Sequence, residues 1–259
     1  MRDVDEPRTS KVQLCGPFFV EIEGDRLDGA LPGRQGRLLF GYLTVNRNRP
    51  VERSRLVDVL WPQGPPAGAE TTLRGLIFRM RQALGDGCLT GKGQVRLNLP
   101  EGVWIDVEAA RGAIHEAESA IARGLPKRAW LPARIAHSIA EAGFMPGYEG
   151  EGMDEHRRAL DDVSLRALDC IAEAGLQLGG AEAAAAERAG RALIAAAPYR
   201  ESGYRYLIRA LDASDNPAEA IRGYEGAREL FREELGISPS SSLRDLHAQL
   251  LSRRGVAEP

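Results

Sequence analysis

Thr71-Thr72-Leu73-Arg74-Gly75-Leu76-Ile77-Phe78-Arg79-Met80-Arg81-Gln82-Ala83-Leu84-Gly85 decides the reading of this chain, because its apolar residues keep helical spacing while its arginines do not. At 100° per residue Leu73, Ile77, Met80 and Leu84 form one stripe, flanked by Leu76, and Gly85 stands where a helix C-cap belongs. Thr71, Thr72, Arg74, Gly75, Phe78, Arg79 and Gln82 then face away from the core, with Arg81 at its edge. Such a face suits nucleic acid: arginine pairs bidentately with guanine, glutamine with adenine, and threonine offers a methyl and a hydroxyl. A surface helix with solvated arginines has the same pattern, so the neighbouring segments decide between the two.

Upstream, Arg53-Ser54-Arg55-Leu56-Val57-Asp58-Val59-Leu60-Trp61-Pro62 predicts a short helix capped by Ser54, burying Leu56, Val57, Leu60 and Trp61 and stopped by Pro62. Two short helices joined by a turn make a helix-turn-helix candidate. Residues 37–46 supply a supporting helix, apolar at Leu39, Phe40 and Leu43. Downstream, Cys88-Leu89-Thr90, the turn Gly91-Lys92-Gly93 and the alternating residues 94–99 predict a hairpin with a basic tip. Three helices and such a hairpin are expected to form a winged helix, its wing along the DNA backbone or minor groove. Residues 12–16 and 18–24 predict two strands in front, with a third near residues 27–31. A sheet placed before the three helices marks the response-regulator subtype.

Leu14-Cys15-Gly16-Pro17, Arg37-Leu38-Leu39, Leu56-Val57-Asp58-Val59-Leu60-Trp61-Pro62, Leu73-Arg74 and Met80-Arg81-Gln82-Ala83-Leu84-Gly85 together resemble the DNA-binding half of the Streptomyces antibiotic regulatory protein family. The back half is helical by pattern and alanine-rich. It is punctuated at Gly124-Leu125-Pro126, residues 143–152, Gly179-Gly180, Pro198, Asp215-Asn216-Pro217 and Gly236-Ile237-Ser238-Pro239. Ala181-Glu182-Ala183, Arg191 and Leu193 recur as Ala218-Glu219-Ala220, Arg228 and Leu230 at a constant offset close to the tetratricopeptide length, which predicts stacked helical hairpins. The ending, with Tyr224, Ala227-Arg228-Glu229-Leu230 and Glu233-Glu234-Leu235-Gly236-Ile237-Ser238-Pro239, resembles the closing signature of the bacterial transcriptional activation domain. The expected architecture is an α+β winged helix-turn-helix over residues 11–106, followed by an all-α, tetratricopeptide-like helical repeat domain over residues 107–259. Residues 1–10 and 256–259 are expected to be frayed tails.

The resemblance implies a sequence-specific transcriptional activator that binds direct repeats in promoter DNA and recruits RNA polymerase holoenzyme, its sigma factor included, to secondary-metabolite genes. Direct repeats call for head-to-tail protomers rather than a two-fold dimer. Arg74, Arg79 and Gln82, with Thr71, Thr72 and Arg81, are assigned to the major groove, and Phe78 to a thymine methyl. Lys92, Gln94 and Arg96 place the wing, and Arg53 and Ser54 hold a phosphate at a helix N-terminus with free N–H groups. The chain departs from the family pattern in two places. Phe78 stands where a small or polar residue is usual, and residues 129–148 keep only Trp130 and Phe144-Met145-Pro146-Gly147 of the expected tryptophan-containing stretch. The nucleotide-binding domain of longer family members is not read here, so ATP-driven control is not expected.

Bulk properties agree. With 259 residues and 43% hydrophobic content the chain can bury one or two cores. The net charge of −3 divides unevenly: residues 10–110 hold 13 Lys+Arg against 11 Asp+Glu, and residues 111–259 hold 19 against 23. Cys15, Cys88 and Cys170 are widely separated and read as small buried residues, not as a disulfide or zinc framework. Catalytic chemistry finds no constellation. His115-Glu116 lacks the second histidine of a zinc-protease helix, and His137, His156 and His247 are isolated. Gly147-Tyr148-Glu149-Gly150-Glu151-Gly152 carries carboxylates that would repel phosphate, and Asp161-Asp162 and Glu233-Glu234 read as solvated helix faces. Neither an enzyme nor a cofactor is expected. The expected location is cytoplasmic, associated with the nucleoid, since no run is apolar enough to span a bilayer. A repeat-type adaptor that uses the winged helix for protein contacts is the alternative, and exposed Phe78 is its best support.

Overall fold

The computed structural model describes residues 9–148 and 150–253; the tail expected at 256–259 and most of that expected at 1–10 lie outside the described residues. Its chain forms two compact units, residues 9–110 with Ile139–Asp161, and Arg111–Ser138 with residues 162–253.

In the first unit, β1 (Lys11–Gln13) pairs antiparallel with β2 (Phe19–Ile22), and β2 with β3 (Asp25–Arg26). A late strand, β7 (Trp104–Ile105), closes the other edge parallel to β1. Alternation buries Val12, Val20, Ile22 and Ile105 on one face. The third strand is therefore Asp25–Arg26 and not residues 27–31, whose backbone turns: Leu27 N returns to the Val20 carbonyl, and Ala30 and Leu31 bond to the Leu27 carbonyl. Thr9 and Ser10 are held by the sheet, the Ser10 carbonyl accepting from Trp104 N at 3.0 Å.

Three helices follow: α1 (Gly33–Val45), α2 (Arg53–Leu60) and α3 (Ala69–Leu84). Leu39, Phe40, Leu43, Leu56, Leu73 and Met80 are fully buried among them. Two readings of α2 are corrected. Its N-cap is Glu52, not Ser54, and makes no side-chain cap bond. Trp61 is only half-buried, because Pro62 ends the helix before it. The hairpin forms from β5 (Leu89–Thr90) and β6 (Gln94–Leu97), and a two-residue strand that periodicity does not reveal, β4 (Val51–Glu52), pairs with β6.

Ile139–Asp161 completes this unit. Gly16 N donates to the Gly143 carbonyl at 2.9 Å and Met145 N to the Leu14 carbonyl at 2.7 Å. Met145 and Phe144 are buried, and a Cβ at Gly41 would lie 2.2 Å from the Met145 sulfur, so a larger residue there would displace the end of the Met145 side chain. The buried Asp106 fixes the other side of the same segment. One of its oxygens accepts Leu14 N at 2.8 Å and Cys15 N at 2.6 Å, and the other accepts Val107 N. Burial raises its pKa, against the lowering pull of these hydrogen bonds.

The second unit is helical. α4 (Asp106–Ala122), α5 (Pro126–Glu141) and α6 (Glu151–Leu178) each contribute to both units; α7 (Ala183–Ala196), α8 (Glu201–Ala213), α9 (Pro217–Leu230) and α10 (Ser241–Arg253) lie wholly in the second. Breaks fall at the expected Gly and Pro positions. Gly190 lets α7 and α8 approach closely, since a Cβ there would lie 2.8 Å from Leu207 N. The two copies of the repeat start differently: Gly180–Glu182 is a 3-10 turn before α7, whereas Ala218-Glu219 already lies in α9. Tyr204, Leu207, Ile208, Tyr224, Phe231 and Leu250 share one core, and His247 stacks on Tyr224 at 3.9 Å. Phe231–Leu235 is a π turn closed by Gly236 in the left-handed region. Cys15 and Cys170 are buried as expected; Cys88 is only half-buried. Among the described residues no helix is long and apolar enough to cross a membrane.

Candidate nucleic-acid interface

The exposed side of α3 follows from its phase. Leu73, Leu76, Ile77, Met80 and Leu84 point inward, which leaves Thr71, Thr72, Arg74, Phe78, Arg79 and Gln82 in solvent and Arg81 half-buried. Phe78 is a large aromatic left 59% exposed. Thr72 spends part of its hydroxyl on the Gly68 carbonyl at 3.3 Å.

The hairpin tip meets this face. Arg81 donates through Nε to the Leu89 carbonyl and through Nη2 to the Gly91 carbonyl, both at 2.9 Å, and so ties α3 to the hairpin. From α2, Arg53 Nη1 reaches the Lys92 carbonyl and its Nε reaches Glu70 on α3, both at 3.4 Å. Between these groups lies a cleft of about 380 Å³, lined by Arg53, Arg74, Phe78, Arg81, Gly91 and Lys92. Four cations and one aromatic edge converge there, with Glu70 the facing carboxylate.

The structure redistributes the expected roles. Arg53 N–H is not free: it donates to the Gly93 carbonyl at 3.3 Å, so the anion site expected at the α2 N-terminus has lost its first donor. Ser54 is exposed beside it without a capping role. Gln94 donates its side-chain amide to Glu52 on the neighbouring strand. Arg96 and Lys92 stay exposed on the hairpin. Gly91 has φ +95°, and a Cβ there would lie 2.0 Å from the Gln94 carbonyl, so the tight tip requires glycine. The bracing of the hairpin by Arg81 and Arg53 leaves no mark on one-dimensional patterning, because both bonds end on backbone carbonyls. Among the described residues no cluster of His, Cys, Asp and Glu is suited to a metal ion.

Known proteins give this geometry a family. The family model of the bacterial transcriptional activator domain matches residues 105–251, more than half of the chain, and the chain belongs to that family. The resemblance to the Streptomyces antibiotic regulatory proteins is upheld over nearly the whole length. The transcriptional regulatory protein EmbR of Mycobacterium tuberculosis is 26% identical over 93% of this chain and 63% of its own length. The regulatory protein AfsR of Streptomyces coelicolor is 28% identical over 95% of this chain and 25% of its own, and the transcriptional regulator RedD of the same organism is 24% identical over 95% and 71%. The solved structure of M. tuberculosis EmbR in complex with a low-affinity phosphopeptide superposes with a TM-score of 0.74 at 23% identity, covering 96% of this chain and 66% of that one. The chain thus spans less than two thirds of the length of EmbR and a quarter of AfsR.

Proposed function

We propose that the first unit is a winged helix-turn-helix of the response-regulator subtype that reads promoter DNA, and that the second is a tetratricopeptide-like module that recruits RNA polymerase. One observation carries this reading: Arg53, Arg74, Arg81 and Lys92 converge on the cleft between the exposed face of α3 and the hairpin tip. α3 enters the major groove with Arg74, Arg79 and Gln82 toward base edges and Thr71 and Thr72 toward the flanking backbone. Lys92 and Arg96 lie on phosphates; Arg81, Arg53 and Gln94 chiefly position the wing, and Ser54 stays near a phosphate without holding it alone. Direct repeats would be bound by head-to-tail protomers inside the bacterial cell, at a secondary-metabolite promoter.

The test is a titration of the full chain on the DNA upstream of its own gene and on shuffled DNA, across salt concentrations. Specific binding on the order of a thousandfold tighter than to shuffled DNA is expected. Weak, salt-sensitive and sequence-blind binding would instead support the adaptor reading, which the exposure of Phe78 favours.

A further inference from the structure

Two helices of the second unit turn a charged face toward each other. Glu118, Ile121 and Ala122 share one side of α4, and Arg166, Asp169, Cys170 and Glu173 share one side of α6, by their three- and four-residue spacing. With Arg200 and Tyr206 they line an open cavity of about 280 Å³. That is the small end of the roughly 300 to 1,000 Å³ usual for ligand pockets, so the cavity suits only a small molecule. Its charges are nearly all spent. Arg166 grips Glu118 through Nε at 2.7 Å and Nη2 at 2.6 Å, and Arg209 Nη1 and Gln177 Nε2 donate to the two oxygens of Glu173 at 3.0 Å and 2.7 Å. Arg200 donates to Asp169 Oδ2. The exception is Asp169 Oδ1, which is buried and accepts no hydrogen bond among the described residues. A carboxylate oxygen left in that state is costly, and a donor supplied from outside the chain removes the cost.

The field inside the cavity selects the kind of donor. Burial pushes the Cys170 thiol up to about 12, and Glu118 and Asp169 push it the same way against Arg166. Burial also raises the Tyr206 hydroxyl, with Asp169 and Glu173 again adding to the rise. Both groups thus sit in a negative potential despite the arginines nearby, which favours a cation and disfavours an anion. Ile121, Ala122 and the Tyr206 ring supply apolar wall beside these charges.

We propose that this cavity is a binding site for a small primary amine, its ammonium donating to Asp169 Oδ1 and its short apolar body lying against Ile121, Ala122 and the Tyr206 ring. Asp169 Oδ1 is itself covered, so the part-exposed Arg200 side chain, which holds the other oxygen, swings as the ammonium enters. Every lining residue belongs to the second unit, so the site stands independently of the DNA-reading assignment of the first.

An NMR titration of the full chain with phenethylamine tests it, with hydrocinnamate, which carries a carboxylate in place of the ammonium, as the anionic counterpart. Saturable amide shifts centred on Arg166, Asp169, Cys170 and Tyr206, at millimolar concentration or below, are expected with the amine and not with the acid. Asp169→Asn should weaken amine binding about tenfold or more, the effect of losing a charge-assisted hydrogen bond. Because that change also disturbs the pair with Arg200, Ala122→Trp provides a second reading. Ala122 is exposed, so a tryptophan there obstructs the cavity while leaving every charge in place, and saturable binding should be lost. Circular dichroism verifies that both variants are folded. Absence of saturable shifts at these residues, equal binding of hydrocinnamate, or undiminished binding in either folded variant would overturn the proposal.

Discussion

Arg81 donates to the carbonyl of Gly91 at 2.9 Å, so a residue of the recognition-helix candidate holds the tip of the hairpin candidate for the wing. The bond from its Nε to Leu89 makes the grip two-pronged, which lysine cannot reproduce. Arg81→Lys should therefore weaken DNA binding as loss of a wing contact does. In a double-mutant cycle with Lys92→Ala the two losses should be non-additive by about 0.5 to 3 kcal/mol. Strict additivity would mean that Arg81 acts without the hairpin.

Arg79 and Lys92 should fail in different ways. Arg79→Ala is expected to cost about 1 to 3 kcal/mol and to relax preference at one base pair. Lys92→Ala should weaken binding about equally on all sequences and reduce the salt slope by roughly one unit. Binding titrations on a panel of single-base variants at several salt concentrations check both, and equal loss of discrimination in the two would contradict the assignment.

Phe78→Ser should leave thermal stability nearly unchanged, because the ring is in solvent, and should alter preference at one position of the site. A loss of about 3 kcal/mol, the cost of truncating a buried phenylalanine, would contradict its exposure.

Gly91→Ala should cost about 1 to 3 kcal/mol, since the left-handed backbone and the Gln94 carbonyl both oppose a Cβ. Urea unfolding measures the cost. DNA affinity should fall with it, as Lys92 and the carbonyl that Arg81 holds shift together.

Asp106→Asn should cost about 2 kcal/mol at neutral pH, because the amide nitrogen would face one of the three backbone N–H groups that the carboxylate accepts. The pKa of Asp106 is raised in the fold, so its titration favours the folded state most below the unfolded value, near 3.9, and this contribution is lost as pH rises through the folded value. The gap between wild type and variant should accordingly widen on acidification. A gap that narrows in urea titrations at falling pH would reverse that sign.

Legibility in the sequence tracked periodicity and punctuation. The helix phase of α3 could be read because Leu73, Ile77, Met80 and Leu84 are separated cleanly from its arginines, and Gly and Pro marked the breaks between the later helices. Two-residue strands such as Val51–Glu52 and Trp104–Ile105 are too short to show alternation. Nor does spacing reveal where long-range backbone bonds go, so the pattern offers Arg53 N–H to a phosphate although the Gly93 carbonyl takes it. The clamp of Asp106 on Leu14 and Cys15 spans more than ninety residues and has no local signature.

The insertion of Ile139–Asp161 into the first unit has a consequence for synthesis on the ribosome. The Leu14 and Gly16 backbone waits for Gly143 and Met145, so the first unit stays unfinished while about fifty more residues are translated, roughly 3 to 10 s at bacterial rates. A nascent chain cut near residue 107 would leave that edge unpaired and the pocket of Met145 empty. Exchange of the first unit between relatives therefore needs three splice points, near residues 110, 138 and 161, the second of them inside α5.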